Sequence, residues 1–486
     1  MKKHQITLLA GVVGALCGSV ANASAITEVA AVVVHLSGST AASKAVDNAI
    51  RSVCDPTTVE LYLDKSTSGS NHKAYFCSSK GVNGVTDGTK LMVRLTGAST
   101  AIGPNKYATA LGGSILGVTP VAYGLKVNFL AVSPAVAAAC AGDPLSASGA
   151  ICDDTVAGLL APYVPHFGIS DMHPAAFILQ NAPAATGGIS STALANLSIS
   201  PGPIQIFNTP VTLGLRDAMQ DSQFKAGKLN AACKDLSNRE LGVCTPSIPA
   251  AMVAKIFGGQ VSTWDQVDPA LSAKPVKVVR REIGSGTQAT LNLVGMSEQY
   301  NNPAAAYPCA AGANPVVLDT PTTTVTTTGG AMVTALNNAH TAGDWAMGLL
   351  DVTKNGAGPD TAPSASFRYL LIDGVAPTLA NVAAGKYVMI AQSTVNRAST
   401  WTGSAQELAV VKAITTAFND PAVVAKGNAV ATLKQNFGPA GYMVVGATSC
   451  SSDADCVTNP VTAYRFAKNI ADAPAAFCTK PTNVWP

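Results

Sequence analysis

The turn Gly284-Ser285-Gly286-Thr287 has what a small anion needs. Its glycines let a ligand approach the backbone, Ser285 and Thr287 carry hydroxyl donors, and a helix expected from Gln288 would leave its first amides unpaired beside them. Arg281, just upstream, adds a planar guanidinium fork matched to a tetrahedral oxyanion. Three more short polar turns follow apolar runs: Ser37-Gly38-Ser39-Thr40, Thr96-Gly97-Ala98-Ser99-Thr100 and Phe167-Gly168-Ile169-Ser170-Asp171. Taken singly each is weak, because a glycine turn is often only a turn and an Asp after Ser commonly caps a helix.

Other chemistries fit less well. A nucleophile elbow needs glycines on both sides of the serine at G-x-S-x-G spacing, and Ile283-Gly284 before Ser285 breaks that pattern. His166, Asp171 and His173 would not share one face of a strand and turn, so a metal site is not expected and the two histidines read as solvated loop residues. Arg280 alternates with Arg281 along a strand and is expected at the surface. Phosphatase chemistry would want a metal cluster or an activated nucleophile, and neither is visible. No cofactor is called for, and the expected class is a binding protein rather than an enzyme.

The elements that must position these turns alternate between strand and helix. Ile26–Leu36 reads as a strand, Ala41–Val53 as a helix, and Thr58–Leu63, His72–Cys77 and Lys90–Leu95 as strands. After a long Ala-rich region a second series begins: strand-like Ile204–Leu215, helical Pro249–Phe257, a strand at Val276–Val279, strands at Phe367–Ile372 and Tyr387–Ile390, and an amphipathic helix at Ser404–Phe418. The threonine run Thr320–Thr328 reads as a surface strand or loop. The whole is α/β with mostly parallel sheets, where ligands bind beyond the carboxyl ends of the strands, so the four turns can converge.

Length and composition set the frame. The chain has 486 residues, 48% of them hydrophobic and only 12% charged, which argues for a folded core and against a disordered polymer. Met1-Lys2-Lys3-His4, the apolar run Ile6–Val20 and Ala21-Asn22-Ala23-Ser24-Ala25 have the form of a signal peptide, with cleavage after Ala23 or Ala25. The run is too short for a membrane anchor, and Leu16 before Cys17 argues against lipidation. The protein is therefore expected to be exported to the periplasm or secreted, with no membrane span in the mature chain. Basic side chains number 31 against 28 acidic, and the leader removes two lysines, so no broad field for nucleic acid or anionic membrane remains. The ten cysteines beyond Cys17 read as disulfides. Proximity pairs Cys54 with Cys77, Cys140 with Cys152, Cys233 with Cys244 and Cys450 with Cys456, leaving Cys309 with Cys478.

Across most of its length the chain resembles the phosphate-binding periplasmic proteins of ABC importers, in the type II periplasmic-binding-protein superfamily. Leu36-Ser37-Gly38-Ser39-Thr40-Ala41 is similar to the family's first anion loop, Gly97-Ala98-Ser99-Thr100 to its second, and Phe167-Gly168-Ile169-Ser170-Asp171 to its FGxSD segment. Ile248–Trp264 resembles the stretch before the arginine loop, Arg281–Thr287 that R-x-D-G-S-G-T loop, and Ile372–Thr378 with Gly385-Lys386-Tyr387 the return between lobes. The resemblance implies a two-lobed clamp that closes by hinge motion on inorganic phosphate or a similar oxyanion. In it Ser39, Thr40 and Ser99 donate, Asp171 accepts, and Arg281, Ser285, Gly286 and Thr287 hold the anion from the other lobe. An ABC permease, or scavenging outside the cell, and a monomer are what it further implies.

On that pattern residues 1–25 are the leader, 26–203 and 391–486 form one lobe, and 204–390 form the other, joined by crossing strands near Ile206–Pro210 and Tyr387–Ile390. Two departures stand out: Ile283 replaces the family's acidic residue, and Ala98 stands where the second loop's ligand serine could fall. Glu282 could stand in for that acid, but as a strand neighbour it is expected to point elsewhere. The spacing between Thr100 and Ser170 is also long, and the excess, about residues 101–165, is expected to form an added surface subdomain or lid. Two other readings remain: a secreted interaction protein keeping the clamp with a degenerate site, and an extracellular phosphatase-like enzyme.

Overall fold

A computed structural model describes residues 26, 28–65, 71–100, 102, 110–146, 149–177, 181–183, 188–295, 322–354, 366–428 and 434–464. The leader and the Cys309–Cys478 pair lie outside the described residues; the other four expected disulfides are formed.

The first strand, β1 (Val32–Gly38), turns Val32, Val34 and Leu36 into the core beneath helix α1 (Ser43–Ser52) and Ser37 to the opposite face. Next come β2 (Glu60–Asp64), β3 (His72–Ser78) and β4 (Lys90–Thr96), paired antiparallel in sequence, with β4 parallel to β1. A short hairpin follows, β5 (Ala98–Thr100) with β6 (Ala110–Gly112), then a tight helical turn at Gly113–Gly117 that runs into α2 (Thr119–Tyr123). The next segment, expected as an added surface subdomain or lid, adds strands to the large sheet. Its strands are β7 (Val127–Leu130), β8 (Cys140–Ala141), β9 (Ala150–Cys152) and β10 (Leu160–Tyr163). β9 and β8 extend the sheet beyond β2, while Leu130, Val132 and Leu159 bury themselves against Tyr62, Phe76 and Met92. Those apolar side chains are worth about 25 cal/mol per Å² of surface removed from water, a return that a free lid would forgo.

The strand β11 (Phe167–Ser170) lies parallel to β1 on its other side. Gly168 and Gly117 sit where backbones meet: a Cβ on Gly168 would overlap the Gly117 backbone, and one on Gly117 the Ile169 backbone. That contact presses the 113–117 turn onto the carboxyl ends of β1 and β11. The long strand β12 (Leu197–Asn208) then passes through Thr209 into β13 (Pro210–Thr212), which belongs to a second sheet. The strand expected to reach Leu215 stops at Thr212, because the helix Leu213–Lys225 begins there.

The second lobe adds β14 (Ser247–Ile248), β15 (Lys277–Arg281), β16 (Thr323–Thr326), β17 (Ala346–Gly348), β18 (Leu350–Asp351), β19 (Phe367–Tyr369) and β20 (Leu371–Ile372). The chain returns through β21 (Ile390–Ala398); Tyr387–Met389, expected as strand, is irregular, with the Tyr387 hydroxyl donating to the Phe207 carbonyl at 2.6 Å. The helix Ala405–Phe418 follows behind a capping box of Ser404 and Glu407.

Both sheets share one plan. A parallel trio, β4-β1-β11 in one lobe and β16-β15-β17 in the other, is followed by an antiparallel strand and then an outer strand: β21 and β12 in the first, β13 and β19 in the second. In each lobe the antiparallel strand is one that lies next to a crossing between lobes. This is the two-lobed type II clamp with two crossings, and the sheets are mixed rather than mostly parallel.

Candidate functional site

Arg281 ends β15 and is buried, 3% exposed. Its Nη2 donates to the Thr327 carbonyl at 2.7 Å and its Nε to the Thr326 carbonyl at 3.4 Å. The threonine run is thus an edge strand, as read, but its end also holds the guanidinium. Two expectations fail here. Arg280 is buried rather than at the surface, its Nη1 donating to the Arg281 carbonyl at 2.8 Å. Glu282 does not point away: its Oε1 lies 4.0 Å from Arg281 Nη2. Strand alternation ends with β15, and a turn closed by Ser285 N donating to the Glu282 carbonyl at 3.2 Å swings Glu282 inward and leaves Ile283 exposed. Glu282, and not the exposed Ile283, is therefore the residue that stands beside Arg281. Burial pushes Glu282 up and Arg281 down from their ordinary pKa values, each effect opposed by the other's charge.

Ser285, Gly286 and Thr287 are buried at the start of the following helix, and among the described residues the Ser285 hydroxyl has no partner. A buried hydroxyl without a hydrogen bond is costly, which marks this one as waiting for an acceptor. Gly286 backs directly onto the other lobe. A Cβ there would run into the Ser114 hydroxyl and the Asp171 side chain.

Asp171 follows β11 and is 2% exposed. Its Oδ1 accepts from the Ser39 hydroxyl and from Gln205 Nε2 at 2.8 Å, and its backbone N–H donates to the Ser114 hydroxyl at 2.9 Å. Burial raises its pKa; hydrogen bonds from Ser39, Gln205 and Ser114 pull it back, and Asp351 adds to the rise. Ser39 also accepts from the amides of Ala41 and Ala42, at 3.1 and 3.3 Å, which ties it to the entry of α1. Thr40 packs its methyl against Gly97.

The structure thus brings Ser39, Asp171 and Gly286 into contact and sets Arg281 and Ser285 around Gly113, where a Cβ would meet Arg281 Nη2 and Ser285 Cα at 3.4 Å each. The lobes are latched beside them by Ile115 N donating to the Gly284 carbonyl at 3.0 Å. Ser99 is placed elsewhere: its hydroxyl accepts from Asn128 N on β7 at 2.9 Å, because β4 runs on into the β5–β6 hairpin. The serine that does meet Asp171 is Ser114, in the turn Gly112-Gly113-Ser114, and it was not among the expected residues. Its signal was present, a Gly-Gly-Ser turn before the apolar helical run Ile115–Tyr123. Gln205, inside a strand, gave none.

Among the described residues no group of three or more His, Cys, Asp or Glu could hold a metal. His166 and His173 are not merely solvated: His166 Nδ1 accepts from His35 N at 3.0 Å, and His173 Nδ1 from Ala175 N at 3.2 Å. Burial lowers the His173 pKa to about 4, so it stays neutral.

No protein-family model matches the chain, and no curated protein matches it. Solved structures similar to it include a protein assigned as a phosphate ABC transporter substrate-binding protein, with bound phosphate, from Clostridium perfringens (12% identity over 81% of this chain and 97% of that one, TM-score 0.42). An ABC-type phosphate transport receptor from Vibrio cholerae is similar at 12% identity over 78% of this chain and 93% of that one, TM-score 0.34. PstS from Borrelia burgdorferi is similar at 9% identity over 81% and 96%, TM-score 0.35. Among the described residues no single helix is long and apolar enough to cross a membrane.

Proposed function

We propose that this protein is an exported, monomeric, non-enzymatic solute-binding protein that captures inorganic phosphate between its lobes, either for an ABC-type permease or as a scavenger. The observation that carries the reading is the meeting, across the lobe boundary, of a buried guanidinium with an unsatisfied serine hydroxyl on one side and a buried carboxylate on the other. Arg281 and the Ser285 hydroxyl, with the first amides of the Gly286 helix, supply donors to anionic oxygens. Asp171 supplies an acceptor. An ionised carboxylate beside a dianion is repulsive unless a proton lies between them, and monohydrogen phosphate has that proton where sulfate lacks it at neutral pH.

Lobe closure assembles the site. Ser39, Ser114 and Asp171 belong to the larger sheet's lobe and Arg281, Ser285 and Gly286 to the other, so neither lobe alone presents both Arg281 and Asp171. The inward turn of Glu282 argues against a degenerate site, since the charge balance of the arginine loop is kept by a different residue.

Isothermal titration of the purified protein with phosphate and with sulfate tests the reading. Heat from phosphate, none from sulfate, and little from phosphate with Arg281→Ala are expected. Equal binding of sulfate would overturn the role given to Asp171, and absence of phosphate binding would overturn the proposal.

A further inference from the structure

Between the lobes, beside the oxyanion site, lies a cavity of about 430 Å³. It shares Gly38, Ser39 and Ile169 with the approach to Asp171. The carbonyl of its lining residue Gly97 accepts at 3.0 Å from the amide of Gly113, the residue beside which Arg281 Nη2 lies. A tetrahedral oxyanion takes the room of only a few waters, at ~30 Å³ each, whereas this volume is in the range of sites for whole organic ligands, ~300–1,000 Å³. Its walls are of two kinds. Leu61, Leu63 and Leu95 offer apolar surface from the larger lobe, while Thr40, Thr328 and Lys354 offer polar groups, the last two from the other lobe.

The charge in the cavity has a sign. Lys73 is balanced by Asp47 at 3.5 Å. Lys354 forms no ion pair among the described residues, and beside it Lys44 Nζ donates to the Thr353 carbonyl at 3.3 Å. Burial, with the charge of Lys354 next, lowers the Lys44 pKa to about 8, opposed by the carboxylates of Asp351 and Asp47. Two neighbouring ammonium groups repel, and an anionic group on a ligand would relieve that repulsion.

We propose that the preferred guest is a phosphate monoester with a short, anionic organic tail, its phosphoryl group in the Arg281–Asp171 site and its tail in the adjoining cavity facing Lys354. This rests on the oxyanion reading above. A monoester keeps the tetrahedral head and, in the singly protonated form populated near and below its second pKa of about 6, the proton that Asp171 accepts, so its binding is measured at about pH 6, while its one ester oxygen leads the tail away.

Calorimetry with inorganic phosphate, phosphoglycolate and phosphoethanolamine separates the two readings. Phosphoglycolate is expected to bind wild type at least tenfold more tightly than phosphate, and phosphoethanolamine, with a cationic tail, more weakly than phosphoglycolate. Lys354→Ala and Lys354→Glu should each remove that tenfold advantage and leave phosphate affinity unchanged, with melting curves confirming that both variants fold. If phosphate binds but phosphoglycolate binds no better, or if the advantage survives in both variants, the inference is overturned while the phosphate reading stands. If none of the three binds, both fall together.

Discussion

The two lobes build their halves of the site in opposite ways. The smaller lobe supplies Arg281, Glu282, Ser285, Gly286 and Thr287 from one continuous turn at the end of β15, its guanidinium held by the carbonyls of Thr326 and Thr327. The larger lobe gathers Ser39, Ser114, Asp171 and Gln205 from four separate segments, and its fixed geometry depends on the glycine contact between Gly117 and Gly168. A local turn carries its chemistry in its spelling. A site assembled from distant segments carries it in the packing that brings them together.

That contrast gives a ranking of tests. The largest effect is expected from the contiguous half: Arg281→Ala removes the buried guanidinium nearest Asp171 among the described residues and should weaken phosphate binding by about 3 kcal/mol, roughly a hundredfold, by calorimetry. Gly286→Ala comes next. Its Cβ would collide with Ser114 and Asp171, so closure should be impaired, with phosphate no longer compacting the protein in small-angle scattering and affinity down by about tenfold or more. An unchanged scattering response would mean that the lobes do not meet there.

The scattered half is sharpened by a pair of serines. Ser114→Ala should cost phosphate affinity about 1 kcal/mol, roughly fivefold, whereas Ser99→Ala should leave affinity alone and lower stability only, by about 1 kcal/mol in denaturant unfolding. The reverse result would restore Ser99 to the second loop. The smallest effect concerns pH. Because the folded-state pKa of Asp171 is raised, the ligand-free protein takes up a proton there on folding, so the contribution to stability is fully present below the ordinary carboxylate value and lost as pH rises through the raised one. Asp171→Asn should flatten that part of the melting profile, and it should also admit sulfate, since an amide can donate to an oxygen that has no proton of its own.

How much of this could be read beforehand depended on where the information sits. That the Arg281–Thr287 turn, the Ser39 turn and Asp171 could converge was legible because their residues lie next to one another or follow recognisable strands. The place of Ser114 beside Asp171 was not, because the β5–β6 hairpin intervenes between it and the end of β4. Glu282 was misread because period-two alternation was extended past the end of a strand into a turn. The region 101–165 was read no more closely than as an added surface subdomain or lid, because length alone does not say whether apolar side chains are buried on an existing sheet edge.

By itself, then, the sequence determined the alternation of strands and helices, four disulfide pairs between near neighbours, and most of the groups able to grip an anion. These are short-range properties, fixed by residue type and spacing. The tertiary structure alone decided that Ser114 rather than Ser99 meets Asp171, that Glu282 turns in beside Arg281, and that a cavity walled by both lobes opens next to them. Each of those is settled by backbone segments far apart in the chain coming within van der Waals reach, and no local pattern of side chains encodes that distance.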